Sequence, residues 1–428
     1  MSEPAAVARA ELFARAERAL TASGVRDPSA SPAFFVPGRI EVLGKHTDYA
    51  GGRSVLATVE RGICLVAVPR TDGIIRVVDA RTGDAASFPF EPALEPLAGH
   101  WSNYPMTVAR RVAANFPGAR RGADIAFASD LPPAAGMSSS SALMVATFFA
   151  LAAVNEIERA APYSQAIRSR EDLAAYLGCI ENGESFGALA GDRGVGTFGG
   201  SEDHVAMLCC EPATLSVYSF CPVKRESVVP FPAGHVFVVA SSGVVAEKTG
   251  AARGAYNRAA LMARAVLDQW NKAMDDHAPT LGALLARDAD NAGRVMELLA
   301  EPALRDRFAQ FVAESTIIIP RAAAALAGGD LVALGRLVDQ SQRNAELLLG
   351  NQVPETIELA RSARAGGAVA ASAFGAGFGG SVWALVRAND ADRFAAGWIE
   401  RYLAVFPQHR DSAEVFVTRP GPAAMRLR

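Results

Sequence analysis

The stretch that most constrains this chain is a junction. Four consecutive serines, Ser138 to Ser141, run directly into Ala142-Leu-Met-Val-Ala-Thr-Phe-Phe-Ala-Leu-Ala-Ala-Val154. That run is apolar nearly all the way round, so a helix built from it must be buried on every side. Serines make a poor helix interior and a good helix start, because a hydroxyl oxygen can accept from the free backbone N–H groups of the first turn. Upstream, Leu131-Pro-Pro-Ala-Ala-Gly-Met137 carries two prolines that break any preceding element. A helix N-terminus offers unpaired N–H groups and partial positive charge, which suits an anion. A phosphate-holding loop and a serine-capped core helix both produce this pattern. A Walker A loop does not, since no Gly-Lys-Ser/Thr follows the required spacing.

Composition narrows the rest. With 428 residues the chain can bury one large core or two ordinary ones. Its 42 basic and 45 acidic side chains leave a net charge of −3, which gives no electrostatic reason to expect nucleic acid as a partner. Five cysteines (Cys64, Cys179, Cys209, Cys210, Cys221) form an odd set without zinc spacing, as expected of buried thiols in a reducing compartment. Ala5 to Leu20 carries charges every few residues and lacks a signal-peptide core. No apolar run reaches the roughly 20 residues of a spanning helix. The expectation is a cytoplasmic protein, monomer or homodimer, with no membrane partner.

The order of elements reads as follows. Ala5 to Ala22 has a helical stripe of Leu12, Phe13, Ala16 and Leu20. Phe34 to Val36 and Ile40 to Leu43 read as two short strands around a Pro37-Gly38 turn. Gly44 to Gly52 is then a loop dense in polar heads: Lys45, His46, Asp48 and Tyr49. Val55–Val68, Ile74–Ala80 and Gly122–Ala128 read as strands, and Trp101-Ser-Asn-Tyr opens a helix. Glu171 to Glu184 reads as a helix on which Glu181 and Glu184, one turn apart, share a face. A glycine-rich segment, Gly191 to Ser201, leads to Glu202-Asp203-His204 and an apolar strand over Val205 to Cys209. A solvated turn would look much the same. Strands resume between Val217 and Val229, which places a second domain at about residue 216. His235 to Ala240 is a strand, a long helical region runs to about Ala363, and Ala373-Phe-Gly-Ala-Gly-Phe-Gly-Gly-Ser-Val-Trp-Ala-Leu385 sets four glycines between two strands. Ala413 to Pro420 supplies a late strand.

Three of these stretches resemble one family. The serine loop resembles the phosphate loop of the GHMP kinases, Pro-x-Gly-x-Gly-Leu-Ser-Ser-Ser-Ala. Pro132, Gly136, Ser138, Ser139 and Ser140 match, Ala134 stands for the first glycine, Met137 for leucine and Ser141 for alanine. Gly38-Arg-Ile-Glu-Val-Leu-Gly-Lys-His-Thr-Asp-Tyr-Ala-Gly-Gly52 resembles the galactokinase signature Gly-Arg-x-Asn-x-x-Gly-Glu-His-x-Asp-Tyr-x-x-Gly, with Glu41 for Asn and Lys45 for Glu. The glycine motif resembles Thr-Gly-Ala-Gly-x-Gly-Gly-Cys, with Phe374 for Thr and Ser381 for Cys. The chain is thereby identified as a member of the GHMP kinases, galactokinase branch.

The resemblance implies an α+β fold of two domains: residues 1–215, ribosomal-protein-S5-like, with the sugar signature and phosphate loop, and residues 216–428, ferredoxin-like, with the glycine motif. It implies transfer of the ATP γ-phosphoryl group to the C1 hydroxyl of galactose or a close relative, with Mg2+. Asp203 is the implied catalytic carboxylate, with Arg39 beside it neutralising charge. His46, Asp48, Gly200 and Tyr256 are implied to grip the sugar, and Lys45 occupies the position that faces its C6 group. Pro132, Gly136, Ser138, Ser139, Ser140, Ser141, Gly375, Gly377 and Trp101 fall on the ATP side. Ser140 and Glu181 are implied to hold the metal, with Glu184 as a rival for the glutamate. An ammonium can only donate, whereas a carboxylate accepts. Lys45 therefore leaves open a kinase for another sugar, a uronic acid first. A non-catalytic sugar sensor of the same branch is the other alternative.

Overall fold

This computed structural model describes residues 3–132, 136–245 and 250–428. Among them, eight strands form one sheet and four form a second. The strands are β1 (Ala33–Leu43), β2 (Arg53–Pro69), β3 (Ile74–Asp79), β4 (Ala85–Pro89), β5 (Ala123–Ser129), β6 (Thr214–Ser219), β7 (Lys224–Pro230), β8 (His235–Ser241), β9 (Ala370–Ala373), β10 (Ser381–Arg387), β11 (Glu414–Thr418) and β12 (Met425–Arg426). The first sheet runs β12-β1-β2-β5-β3-β4, with β6 on the far part of β2 and β7 on β6.

The alternation of side chains across a strand explains why this sheet is built of long apolar runs. In β1, Phe34 and Val36 face the main core, while Ala33 and Phe35 face the opposite side. In β2 the same division separates Ile63, Leu65 and Ala67 from Cys64 and Val66. The helix Glu3–Ala22 covers the second face with Leu12, Ala16 and Leu20. The helix Ser139–Asn155 fills the first face and is buried along most of its length.

β8 to β11 have β-α-β-β-α-β connectivity and the order β11-β8-β10-β9, the antiparallel arrangement of a ferredoxin-like unit. Val236, Val238, Val382 and Ala384 pack against Leu359, Trp398 and Tyr402 of the covering helices. The opposite face, with Phe237, Val239, Trp383 and Leu385, joins the core of the first sheet. The two sheets thus meet through apolar packing, which brings the loops at their shared edge into register.

Three expectations change. First, β1 is one continuous strand, with register shifts between Pro37 and Arg39 and between Glu41 and Leu43. Proline lacks the N–H a ladder needs, so it sits at a bulge here and makes no turn. Gly38 is required by close packing, since a Cβ there would lie 2.6 Å from Leu131 Cδ2. Second, Val205 to Cys209 is helical, part of Glu202–Cys209. A short apolar run buried on all sides carries no period that separates helix from strand. Third, the strands between Val217 and Val229 belong to the first sheet, where β6 pairs with β2. A cut after residue 215 passes through β6, and the second sheet opens at His235.

No described helix is long and apolar enough to cross a membrane. All five cysteines are free; Cys64, Cys209 and Cys210 are buried, and Cys221, expected inside, is exposed.

Candidate active site

The signature loop after β1 is held from outside by the helix Pro302–Val312 and the π-helical segment that follows it. Arg307, 1% exposed, donates from Nη2 to the His46 carbonyl at 2.6 Å and to Tyr49 Oη at 3.1 Å. Gln310 Nε2 donates to the Lys45 carbonyl, and Glu314 Oε1 accepts from Gly44 N at 2.9 Å. These contacts fix His46 in a left-handed conformation, φ 57°. Its Nδ1 lies 3.0 Å from Tyr49 Oη, its Nε2 3.0 Å from the Ala376 carbonyl, and its ring 5.2 Å from that of Tyr256. Asp48 Oδ2 accepts from Glu202 N at 3.1 Å. Gly200 is the residue that lets Asp48 come so close: a Cβ there would stand 2.3 Å from Asp48 Oδ2. His46, Asp48, Gly200 and Tyr256 line one pocket together with Arg39, Glu41, Glu181, Glu202, Asp203 and Gly375.

Asp203 sits in the first turn of its helix, at the junction of the sheets. Arg39 Nε donates to its Oδ1 at 2.7 Å, and Arg39 Nη1 reaches the Gly136 carbonyl. Ser138 Oγ donates to Asp203 Oδ2 at 2.6 Å. Of the two patterns the serines could serve, a side-chain cap is not made by Ser138, which adopts a left-handed conformation. The hydroxyl is spent on a carboxylate, and the N–H groups of the following turn are left to another acceptor. Ser141 Oγ stands between two acids, 2.9 Å from Glu181 Oε2 and 3.3 Å from Asp203 Oδ2. His204 Nε2 lies 3.4 Å from the same Glu181 oxygen. The serine that meets Glu181 is therefore Ser141, whereas the sequence pointed to Ser140, which lies half-buried one residue earlier. Glu184 does not share the face of Glu181: the helix ends at Asn182, Gly183 turns left-handed, and Glu184 is exposed.

Lys45 does not line the pocket. It is 1% exposed and donates from Nζ to Ser372 Oγ at 2.8 Å and Ser341 Oγ at 3.3 Å. Ser341 passes the contact on to Glu314 Oε1 at 2.9 Å. The expected contact of Lys45 with a C6 group is thus replaced by a buried strut. Glu41, two residues along β1 from Arg39, does line the pocket. Burial pushes its carboxyl up to about 7, against the pull of Lys45 and Arg39. Burial and the neighbouring Glu41 and Asp48 carboxylates push Glu202 well above its ordinary range. Burial alone would lower Arg39, but Asp203, Glu202 and Glu41 outweigh it and raise it, so the guanidinium stays charged.

The remaining expected residues lie around the serine loop. Gly375, at φ +79°, comes so close to the loop that a Cβ would stand 2.7 Å from the Gly136 carbonyl. Gly377 shares that φ and packs on Asn351, whose carbonyl would be 2.3 Å from an added Cβ. Ser139 begins the buried helix, and Pro132 is buried just before the loop. Trp101 packs on Phe127 with ring centroids 5.8 Å apart. Ala134, the position of the missing glycine, lies outside the described residues.

Comparison with known proteins gives this arrangement a family. Residues 103–190 match the GHMP kinases N terminal domain, 322–404 the GHMP kinases C terminal domain, and 26–69 the galactokinase galactose-binding signature. The galactokinase of Roseiflexus sp. is 30% identical over 372 residues, covering 86% of each chain. The chain belongs to the galactokinase family. The galactokinase of Bos taurus is 27% identical over 411 residues, 92% of each chain. In structure, the chain is similar to Lactococcus lactis galactokinase, solved with galactose, with a TM-score of 0.80 at 22% identity, covering 95% of this chain and 98% of that one. L. major mevalonate kinase, solved with R-mevalonate, shares the fold more distantly, with a TM-score of 0.54 at 16% identity over 93% of this chain and 100% of that one. As a galactokinase-type sugar kinase, the chain is an enzyme that uses ATP to phosphorylate a sugar.

Four buried groups of this kinase were not legible as site residues in the sequence. Arg307, Gln310 and Glu314 lie in a helical region whose polar residues look like a solvated face, yet they hold the signature loop. Glu202 looked like part of an exposed acidic turn, but it is 6% exposed and accepts from Ser54 Oγ at 2.6 Å. Charge alone gives no sign of burial; a contact 148 residues away in sequence does.

Proposed function

We propose that this enzyme transfers the γ-phosphoryl group of ATP to the C1 hydroxyl of galactose or a close neutral relative. The observation that carries the reading is the Asp203 carboxylate, fixed at 2.7 Å from Arg39 and 2.6 Å from Ser138 where the sugar pocket meets the serine loop. Phosphoryl transfer depends on positioning and charge neutralisation, with little need for a strong base. A carboxylate already accepting from a guanidinium and a hydroxyl is suited to orient the attacking hydroxyl and take its proton late. Arg39 balances the charge beside it. His46, Asp48, Gly200 and Tyr256 form the wall against which the sugar is held. The backbone N–H groups of the turn at Ser139, Ser140 and Ser141, with Gly136, Gly375 and Gly377 leaving room, receive the phosphates. Pro132 sets the entry to that loop, and Trp101 stands on the ATP side.

Magnesium fits the residues present. It takes oxygen ligands, commonly one or two carboxylates with the rest from phosphates and water. Glu181 Oε2 and Ser141 Oγ are an oxygen pair 2.9 Å apart beside Asp203. Among the described residues no group of three His, Cys, Asp or Glu is placed to hold a metal ion. Glu181 and the hydroxyls of Ser140 and Ser141 would hold the ion, which when bound neutralises phosphate charge. Free thiols support a reducing, cytoplasmic setting. The uronic acid alternative loses its observation, because Lys45 is engaged elsewhere.

The test is ADP release from Mg-ATP with galactose, N-acetylgalactosamine, arabinose, glucose, mannose, galacturonate and glucuronate. Turnover on galactose or a neutral relative is expected. Turnover confined to a uronic acid, or ATP binding with no turnover on any sugar, contradicts the proposal.

A further inference from the structure

Glu41 carries a polar atom that the fold leaves unused. The side chain is 3% exposed, and its Oε1 has no hydrogen-bond partner among the described residues. A buried, unsatisfied carboxylate oxygen is rare and points to a ligand that completes it. Its position gives the ligand's location. Arg39 and Glu41 alternate with Ile40 along β1, so both face the pocket that holds Asp203, His46 and Asp48.

We propose that Glu41 is a specificity-determining residue of the sugar pocket: its free Oε1 accepts a hydrogen bond from a hydroxyl of a neutral sugar and bars anionic sugars from the same place. This rests on the sugar-kinase reading above. A carboxylate accepts, and the hydroxyls of a neutral sugar are donors. An anionic sugar would set its own carboxylate against Glu41 in a pocket also lined by Asp48, Glu181, Glu202 and Asp203. The guanidinium of Arg39 is already committed to Asp203. Rejection by like charge is an effective route to specificity.

The surroundings keep Glu41 available as an acceptor. Four charged groups face it: Arg39 from the same strand, Lys45 from the following loop, Glu202 from the helix Glu202–Cys209, and Glu314 from the π-helical segment Ala313–Ile318. The Glu41 and Glu202 carboxyls act on each other and burial raises both, as for two acids that occupy one site. Whichever of the two carries the proton, Oε1 of Glu41 keeps a lone pair to offer. Lys45 sits behind Glu41 and supplies positive charge without entering the pocket.

The test compares wild type with Glu41→Gln and Glu41→Asp by steady-state kinetics on galactose and galacturonate, by calorimetric binding of galactose, and by thermal unfolding. Glu41→Gln removes the charge at constant shape. The galactose KM is expected to rise about tenfold or more, as for loss of a hydrogen bond to a charged group, and to rise more than kcat falls. The ratio of kcat/KM for galacturonate over galactose is expected to increase, and the unfolding midpoint to stay at or above that of wild type. Glu41→Asp keeps the charge and shortens its reach, so it raises KM without admitting galacturonate. An unchanged galactose KM and an unchanged sugar ratio in a folded Glu41→Gln enzyme overturn the proposal. A wild type that binds ATP but neither binds nor phosphorylates a neutral sugar overturns it together with the reading beneath it, and is told apart by that absence.

Discussion

Arg39 Nε and Asp203 Oδ1 stand 2.7 Å apart although 164 residues separate them in sequence. Their side chains are only 4% and 16% exposed. The strand bulge at Pro37 and Gly38 aims the arginine, and the start of the helix Glu202–Cys209 aims the carboxylate. The same guanidinium reaches the Gly136 carbonyl, so one side chain ties the sugar pocket to the phosphate loop.

Asp203→Asn keeps the shape of this junction and removes its charge. It is expected to lower kcat by about 10²–10³ or more, the scale of losing a preorganised charged group at a reacting centre. Binding of a non-hydrolysable ATP analogue, followed by calorimetry, should stay within a few-fold of wild type. A variant turning over at near-wild-type rate would remove Asp203 from the mechanism.

Arg39→Lys should be nearly as damaging, because an ammonium cannot bridge two acceptors in the plane of a guanidinium fork. A loss of about 10²-fold in kcat/KM is expected. Full activity in Arg39→Lys would show that charge alone suffices and that the contact to Gly136 is idle.

Lys45 is expected to govern stability. It is buried between Ser341 and Ser372 and faces Glu41. Lys45→Glu places a third carboxylate beside Glu41 and Glu314, and denaturant unfolding should show a loss of about 3–5 kcal/mol, as when one partner of a buried ion pair is removed. If Lys45→Glu folds with wild-type stability and a changed order of sugars, the buried strut is the wrong description.

The pH dependence of stability has a definite sign at Glu41. Burial raises its carboxyl from an ordinary 4.5 to about 7. Between those values the folded state binds a proton that the unfolded chain has released, so this group's contribution to stability falls as pH rises through the window and is not regained above it. Glu202, also raised well above its ordinary range by burial, contributes with the same sign. Glu41→Gln should therefore flatten the decline in unfolding free energy measured by urea titration from about pH 5 to about pH 7. An equal slope in variant and wild type would contradict the assignment.

Local pattern made much of the fold legible. The apolar run after Ser141 forms the buried helix, and the glycine motif lies between β9 and β10. Where local signals compete, the sequence misled. Val205 to Cys209 is too short to show a period, and Pro37-Gly38 looks like a turn until β2 is seen alongside it. The site divides in the same way. Residues with distinctive neighbours, such as His46, Asp48 and Asp203, are singled out by the sequence, and the fold brings them to one pocket. The direction of the Lys45 side chain was not legible, because it depends on Ser341 and Ser372, some 300 residues away. The bond from the Ser138 hydroxyl to Asp203 was not legible, because nothing nearby in sequence announces Asp203.

The most direct test of the central claim is the identity of the product. Galactose and Mg-ATP incubated with the wild-type enzyme, followed by phosphorus and proton NMR, should give a sugar phosphate whose phosphorus couples to the anomeric proton, and Asp203→Asn should give none on the same timescale. Phosphate on another hydroxyl, or an equal yield from Asp203→Asn, would contradict the placement of the C1 hydroxyl between Asp203 and the serine loop.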